Sequence, residues 1–195
     1  MRSDVRIACV TLAAFCAVSC GQEKPLSGEE VLAQAGKLQK PEPGLYATST
    51  KLVSFDVPGL PPAQADRMRE QMQGLSSEPQ PSCLTEAEAS KGFEDVLRQI
   101  GEGINDQECA FTRFNVDGIR FDANLSCSGP MGVSAEVGLS GTSTSAGFDA
   151  SMDLEASNSM IPGGSMEMQF DVKSDRLGPC SEAELDGAEA QVAEE

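Results

Sequence analysis

The 195-residue chain carries 31 acidic and 14 basic side chains, a formal net charge of −17, with no histidine and no tryptophan. Such a surface repels polyanions and shows no basic patch with interleaved aromatics, so nucleic acid is not expected as a partner, nor are anionic lipid head groups as direct contacts. Without histidine, Ser-His-Asp and Cys-His catalysis and every imidazole metal site are excluded, and no enzyme activity or cofactor is expected.

The amino terminus reads as an export signal. Arg2 and Arg6 precede a mostly apolar run, Ile7 to Val18, and small residues then lead into Cys20. That run is about a dozen residues, short of the roughly 20 a membrane-spanning helix needs, and no later stretch is longer. Ala17-Val18-Ser19-Cys20 resembles the bacterial lipobox, in which small residues precede a cysteine that is acylated before cleavage; Ala17 stands where Leu is commonest, and Ala17 and Ser19 also suit ordinary signal-peptide cleavage. Residues 1–19 are therefore expected to be removed and Cys20 to carry the lipid that ties the protein to a membrane. Gly21 follows where, in the lipoproteins this resembles, Asp favours inner-membrane retention, so the periplasmic face of the outer membrane is the expected location.

Residues 20–43 read as anchor and tether, polar and proline-containing, with a marginal helix where Ser27 and Glu30 form a capping box ahead of Val31, Leu32, Ala35 and Leu38. A single domain is expected over 44–180, opening with a somewhat irregular strand from Leu45 to Val57. Two helices follow. One starts at Pro61 and Pro62 and carries Ala65, Met68, Met72 and Leu75; the other has Thr85 as N-cap, Glu88 three residues on, then Ala89, Phe93, Val96, Leu97 and Ile100.

Strands then dominate. Gln107 to Val116 is one, and four more show period-two alternation: Ile119, Phe121, Ala123, Leu125 and Cys127; Met131 to Leu139; Phe148 to Leu154; Met166 to Val172. Turns are expected at Asp117-Gly118, Gly129-Pro130, Gly141-Thr142 and Pro162-Gly163-Gly164. The predicted fold is α+β: a curved antiparallel meander of about six strands with both helices on its apolar face. The tail 181–195, with six acids and no base, is expected to be disordered.

Past the leader and Cys20, four cysteines remain: Cys83, Cys109, Cys127 and Cys180. In an oxidising compartment they read as two disulfides, with three connectivities open; no CxxC pair supports a metal site. Strand register favours one of them. A hairpin at Asp117-Gly118 sets Phe114 opposite Phe121, and Phe111 also points inward, so a β-bulge must lie between the two phenylalanines. Cys109 then falls one diagonal step from Cys127, which favours Cys109–Cys127 and leaves Cys83–Cys180.

Several segments together resemble the bacterial domain of unknown function family 3617: Pro43-Gly44-Leu45-Tyr46, Cys83-Leu84-Thr85-Glu86-Ala87-Glu88-Ala89, the Cys109 and Cys127 pair with the alternating strands after it, and Gly178-Pro179-Cys180. The family often has Trp at the place of Tyr46 and Pro at that of Glu86. The resemblance spans Pro43 to Cys180 and implies an exported, cysteine-bearing, mostly β protein, with no implied activity.

Two candidate chemistries stand against plainer readings. Asp149, Asp153 and Glu155 share a polar strand face with Glu136 and Asp122, a set suited to a divalent cation, though a solvated sheet face accounts for it. Met68 with Met72, and Met166 with Met168, have spacings seen at soft-metal sites, though Met also fills gaps in cores. Two roles remain: a non-catalytic binding module whose apolar sheet face takes an amphiphile, or a structural or protein-interaction component of the envelope.

Overall fold

The computed structural model describes residues 24–73, 78–102 and 108–182. The expected leader, Cys20, Leu75 and nearly all of the acidic tail lie outside them.

Seven strands form one open antiparallel sheet: β1 (Gly44–Asp56), β2 (Gln80–Leu84), β3 (Glu108–Asp117), β4 (Arg120–Ser128), β5 (Ser134–Thr144), β6 (Gly147–Ser157) and β7 (Ser165–Gly178), in the order β2-β1-β7-β6-β5-β4-β3. This differs from the expected six-stranded meander in two ways. The meander is broken between β2 and β3: β3 to β7 follow one another as neighbours, while β1 lies against β7, from Leu45 opposite Gly178 to Asp56 opposite Glu167. The seventh strand is β2, whose five residues lack an alternating pattern and pair with Gly44 to Thr48.

Among the described residues four α-helices accompany the sheet: α1 (Gly28–Ala35), α2 (Pro62–Gln73), α3 (Glu86–Lys91) and α4 (Glu94–Glu102). The helix read as marginal within the tether, α1, is a core element. Its capping box forms between Ser27 and Glu30, and Val31, Ala35 and Leu38 are buried with Phe111, Phe114, Val116, Ala123 and Leu125. An amphipathic stripe too short to hold a helix alone is stable once it has an apolar surface to cover. The second expected helix breaks at Gly92, which takes φ 65°, into α3 and α4. The helix expected at Pro61 forms as α2 but buries no residue; Met68 is 39% exposed, and Met72 alone of its methionines meets the core. The helical layer over the apolar face is therefore α1 and α4, not α2 and a single long helix.

Bulges explain why β1 and β3 alternate irregularly. In β1 the register slips between Leu52 and Ser54, so Leu52 and Phe55 are both buried while Val53 is 48% exposed. In β3 it slips between Phe111 and Arg113, as the two inward phenylalanines require. The hairpin after β3 is offset from the expected one: Asp117 pairs with Arg120, and Gly118 and Ile119 form its loop, leaving Ile119 exposed rather than inward. Phe114 consequently opposes Ala123, and Cys109 lies directly opposite Cys127 rather than on a diagonal.

Gly141 and Thr142 do not form a turn. They lie within β5, where Gly141 pairs with Phe121 on one side and Ala150 on the other. A Cβ on Gly141 would stand 2.3 Å from the Asp149 carbonyl oxygen, so the close strand approach demands glycine. The chain turns instead after Thr144.

Candidate functional site

Register puts Phe121 and Ala123 of β4, Leu139 of β5, Phe148 and Ala150 of β6 and Val172 of β7 on one apolar sheet face. The helices cover only parts of it. One buried cluster gathers under α1 and α4 at the β3–β4 end; a second, Leu52, Phe55, Val57 and Met168, lies beside α2 at the far end of β1. Between α4 and the strands a cleft of about 250 Å³ remains, walled by Phe93, Val96, Leu97 and Ile100 from the helix side and by Phe111, Phe114, Phe121, Phe148, Ala150 and Val172 from the sheet. Small residues at Ala123 and Ala150 leave the floor low where larger ones would fill it. Ser143, itself buried, is the one polar residue on the wall.

Chemically, such a surface attracts apolar matter and does little else. It holds no ionisable side chain, so it offers no acid, base or nucleophile. Its volume lies just under the roughly 300–1,000 Å³ of small-molecule pockets, which suits one slender chain or ring. The sequence pattern marked Phe93, Val96, Leu97 and Ile100 as core-facing; Phe93, Leu97 and Ile100 do pack against the first cluster while also walling the cleft, and Val96 is 56% exposed at its edge.

On the opposite face the carboxylates do not gather as one cluster. Glu136, Glu155, Glu167 and Asp56 form a row across β5, β6, β7 and β1, each opposite the next. Asp153 lies in the neighbouring row and accepts a 2.9 Å hydrogen bond from Gln169, Asp149 is two rows further on opposite Lys173, and Asp122 pairs with Arg113 at 2.9 Å. Like charges set opposite one another weaken a sheet by a few tenths of a kcal/mol to about 1 kcal/mol per pair. Among the described residues no group of three or more acidic or cysteine side chains is arranged to hold a metal ion. Of the methionines, Met72, Met166 and Met168 pack in the second cluster beside Leu52, Phe55 and Val57, as gap-filling core residues do.

Disulfides join Cys83 to Cys180 and Cys109 to Cys127. The first ties β2 to the residues after β7, two strands away in the sheet; the second crosses between β3 and β4. Such bonds point to an oxidising, exported location. Among the described residues no helix is long and apolar enough to cross a membrane.

A hydrogen-bonded corner fastens the start of β1. Arg176 donates from Nε and Nη2 to the Pro43 carbonyl at 3.0 and 2.8 Å, and the Tyr46 hydroxyl lies 2.7 Å from the Glu42 carbonyl oxygen and 3.1 Å from that of Ser145. Burial pushes the Tyr46 hydroxyl above its ordinary pKa; the Arg176 charge opposes this and Glu42 adds to it. Pro43-Gly44-Leu45-Tyr46 and Gly178-Pro179-Cys180, distant in sequence, thus meet at one corner of the sheet.

The family described as Protein of unknown function (DUF3617) matches over residues 41–180. The chain belongs to this family. In this DUF3617 protein the match begins after α1, so the helix that completes the core under β3 and β4 precedes the matched residues. No curated protein and no solved structure matches the chain.

Proposed function

We propose that this DUF3617 protein is an exported lipoprotein, held by acyl chains on Cys20 at the periplasmic face of the outer membrane, and that its domain is a non-catalytic binding module for an amphiphile. The cleft between α4 and the sheet carries the reading, because a fold with a fully closed core would not leave an apolar cleft of about 250 Å³ beside its first cluster. The lipobox-like Ala17-Val18-Ser19-Cys20 supports the anchor, and the two disulfides agree with export. The alternative role, a structural or protein-interaction component, draws on the row Glu136-Glu155-Glu167-Asp56, whose repulsion a basic partner would relieve.

Native mass spectrometry of the exported chain carrying Cys20→Ser tests the binding reading. A one-to-one amphiphile adduct that Val96→Glu abolishes, with the fold intact by circular dichroism, is the expected result. An adduct-free protein that takes up no added amphiphile removes the reading and leaves the interaction role.

A further inference from the structure

At one rim of the sheet β4 passes to β5 through residues 129–133 and β6 to β7 through 158–164, beyond the pairs Ser128–Ser134 and Ser157–Ser165. Residues 123–135 and 156–166 hold no charged side chain, in a chain that is 23% charged. The two connections present Met131 and Met160, 74% and 67% exposed, the most exposed large apolar side chains among the described residues. Buried Asn158 ties their backbones together: its Nδ2 donates to the Met131 carbonyl at 3.2 Å, and its Oδ1 accepts from the Met160 N–H at 2.7 Å. Met131 takes φ 59°, a left-handed conformation that glycine or asparagine would fill with less strain and without exposing a thioether chain to water.

The path of the chain brings Cys20 to this same rim. The Leu26 N–H donates to the Phe111 carbonyl at 2.7 Å, three residues from the start of β3 at Glu108, which pairs with Ser128. From there α1 leads away, and the Glu42 N–H reaches the Ser145 carbonyl in the β5–β6 turn at the opposite rim. Cys20 stands six residues before Leu26, a reach of at most about 20 Å. Along β3 the methionine rim is roughly 10 Å from Phe111 and the opposite rim roughly 20 Å, so facing the opposite rim to a membrane would use the whole reach in running back past α1.

We propose that the rim carrying Met131 and Met160 docks on the surface of a neutral phospholipid bilayer, both side chains entering its interface, and so fixes which end of the sheet faces the membrane. This rests on the acylated Cys20 of the reading above. Two methionines hold a free protein only weakly; the anchor supplies the local concentration at which their burial suffices. Glu155, Glu167 and Asp56 stand in a row two residues back from the last strand pair, and Glu108 begins β3, so a neutral surface is favoured over an anionic one.

Fluorescence quenching on the acylated chain, purified from membranes and reconstituted in phosphatidylcholine vesicles with bromine on the lipid chains, tests this. An environment-sensitive fluorophore is placed on Ser159→Cys, exposed between β6 and β7, or on Ile119→Cys, exposed at the opposite rim. Emission is expected to shift to the blue and be quenched for the first label and to stay unchanged for the second. Adding Met131→Asp and Met160→Asp should remove the quenching while intact mass still shows the acyl chains, since Asn158 holds both turns through their backbones. Phosphatidylglycerol in the vesicles should weaken the quenching; stronger quenching there overturns the neutral surface. Equal emission from both labels, or quenching that survives the double substitution, overturns the docking while the anchor stands. A blue shift without quenching means that a second copy or another protein covers the methionines, and overturns it too. A chain without acyl mass overturns anchor and docking together.

Discussion

Phe111 and Phe114, three residues apart on one strand, stack with ring centroids 5.6 Å apart and planes 25° from parallel. Strict alternation would put them on opposite faces. The bulge at Thr112 turns both inward, where they pack in the core and wall the cleft. Replacing Phe111 with Ala removes a buried ring and its stacking partner, and a loss of about 3 kcal/mol is expected in urea unfolding, the lower end for Phe to Ala because the cleft already leaves one side unpacked. A loss under about 1 kcal/mol would mean that the pair is not part of a packed core.

The two disulfides should differ in their effect on stability. Cys83–Cys180 closes a separation of 97 residues and Cys109–Cys127 one of 18. On chain entropy alone these stabilise by about 5 and about 3 kcal/mol. Paired Cys→Ala variants compared by thermal unfolding are expected to rank in that order, and the reverse ranking would show that local contacts outweigh loop closure.

Tyr46 predicts the behaviour in alkali. Its folded pKa is raised above the ordinary value of 10.0, so its contribution to stability is fully present below pH 10 and is lost as pH rises through the higher folded value. Deprotonation also removes the donor to the Glu42 and Ser145 carbonyls. Tyr46→Phe should cost about 1 kcal/mol at neutral pH and flatten the loss above pH 10. An unchanged alkaline slope in the variant would assign that slope to other groups.

Gly44 takes φ 150°, and a Cβ there would stand 2.3 Å from the Gly178 carbonyl oxygen. Gly44→Ala is therefore expected to destabilise by about 2 kcal/mol or more, since backbone rather than a flexible side chain must yield. Melting temperatures of the two proteins check this; equal values would show that the β1–β7 corner is pliable.

Cys20 is expected to incorporate labelled palmitate in growing cells and to place the protein in the membrane fraction. Cys20→Ser should abolish the label and release the protein to the soluble periplasm. Label retained in the variant would move the anchor elsewhere.

Much of this architecture is written in local pattern. The alternating apolar positions of β4 to β7 specify strands because side chains on a strand point to opposite faces in turn, whatever lies beyond. The capping boxes at Ser27 and Thr85 mark helix starts through bonds three residues long. The bulge between Phe111 and Phe114 was legible for the same reason, and with it the closeness of Cys109 to Cys127.

Other features depend on surfaces that no window of sequence contains. β2 has no alternating face and forms because β1 offers an edge and Cys180 a bond. The pairing of β1 with β7 joins residues more than a hundred positions apart, and loop closure over such lengths leaves no local trace. Gly141 reads as a turn until the Asp149 carbonyl is seen to crowd it. The stripe on α1 is weak alone and becomes core only because β3 and α4 present Phe111, Phe114 and Leu97 to it. Local pattern thus set which segments are strands and helices and which residues are apolar. The assembled sheet set which of those apolar residues are sealed in the core and which are left as the wall of an open cleft.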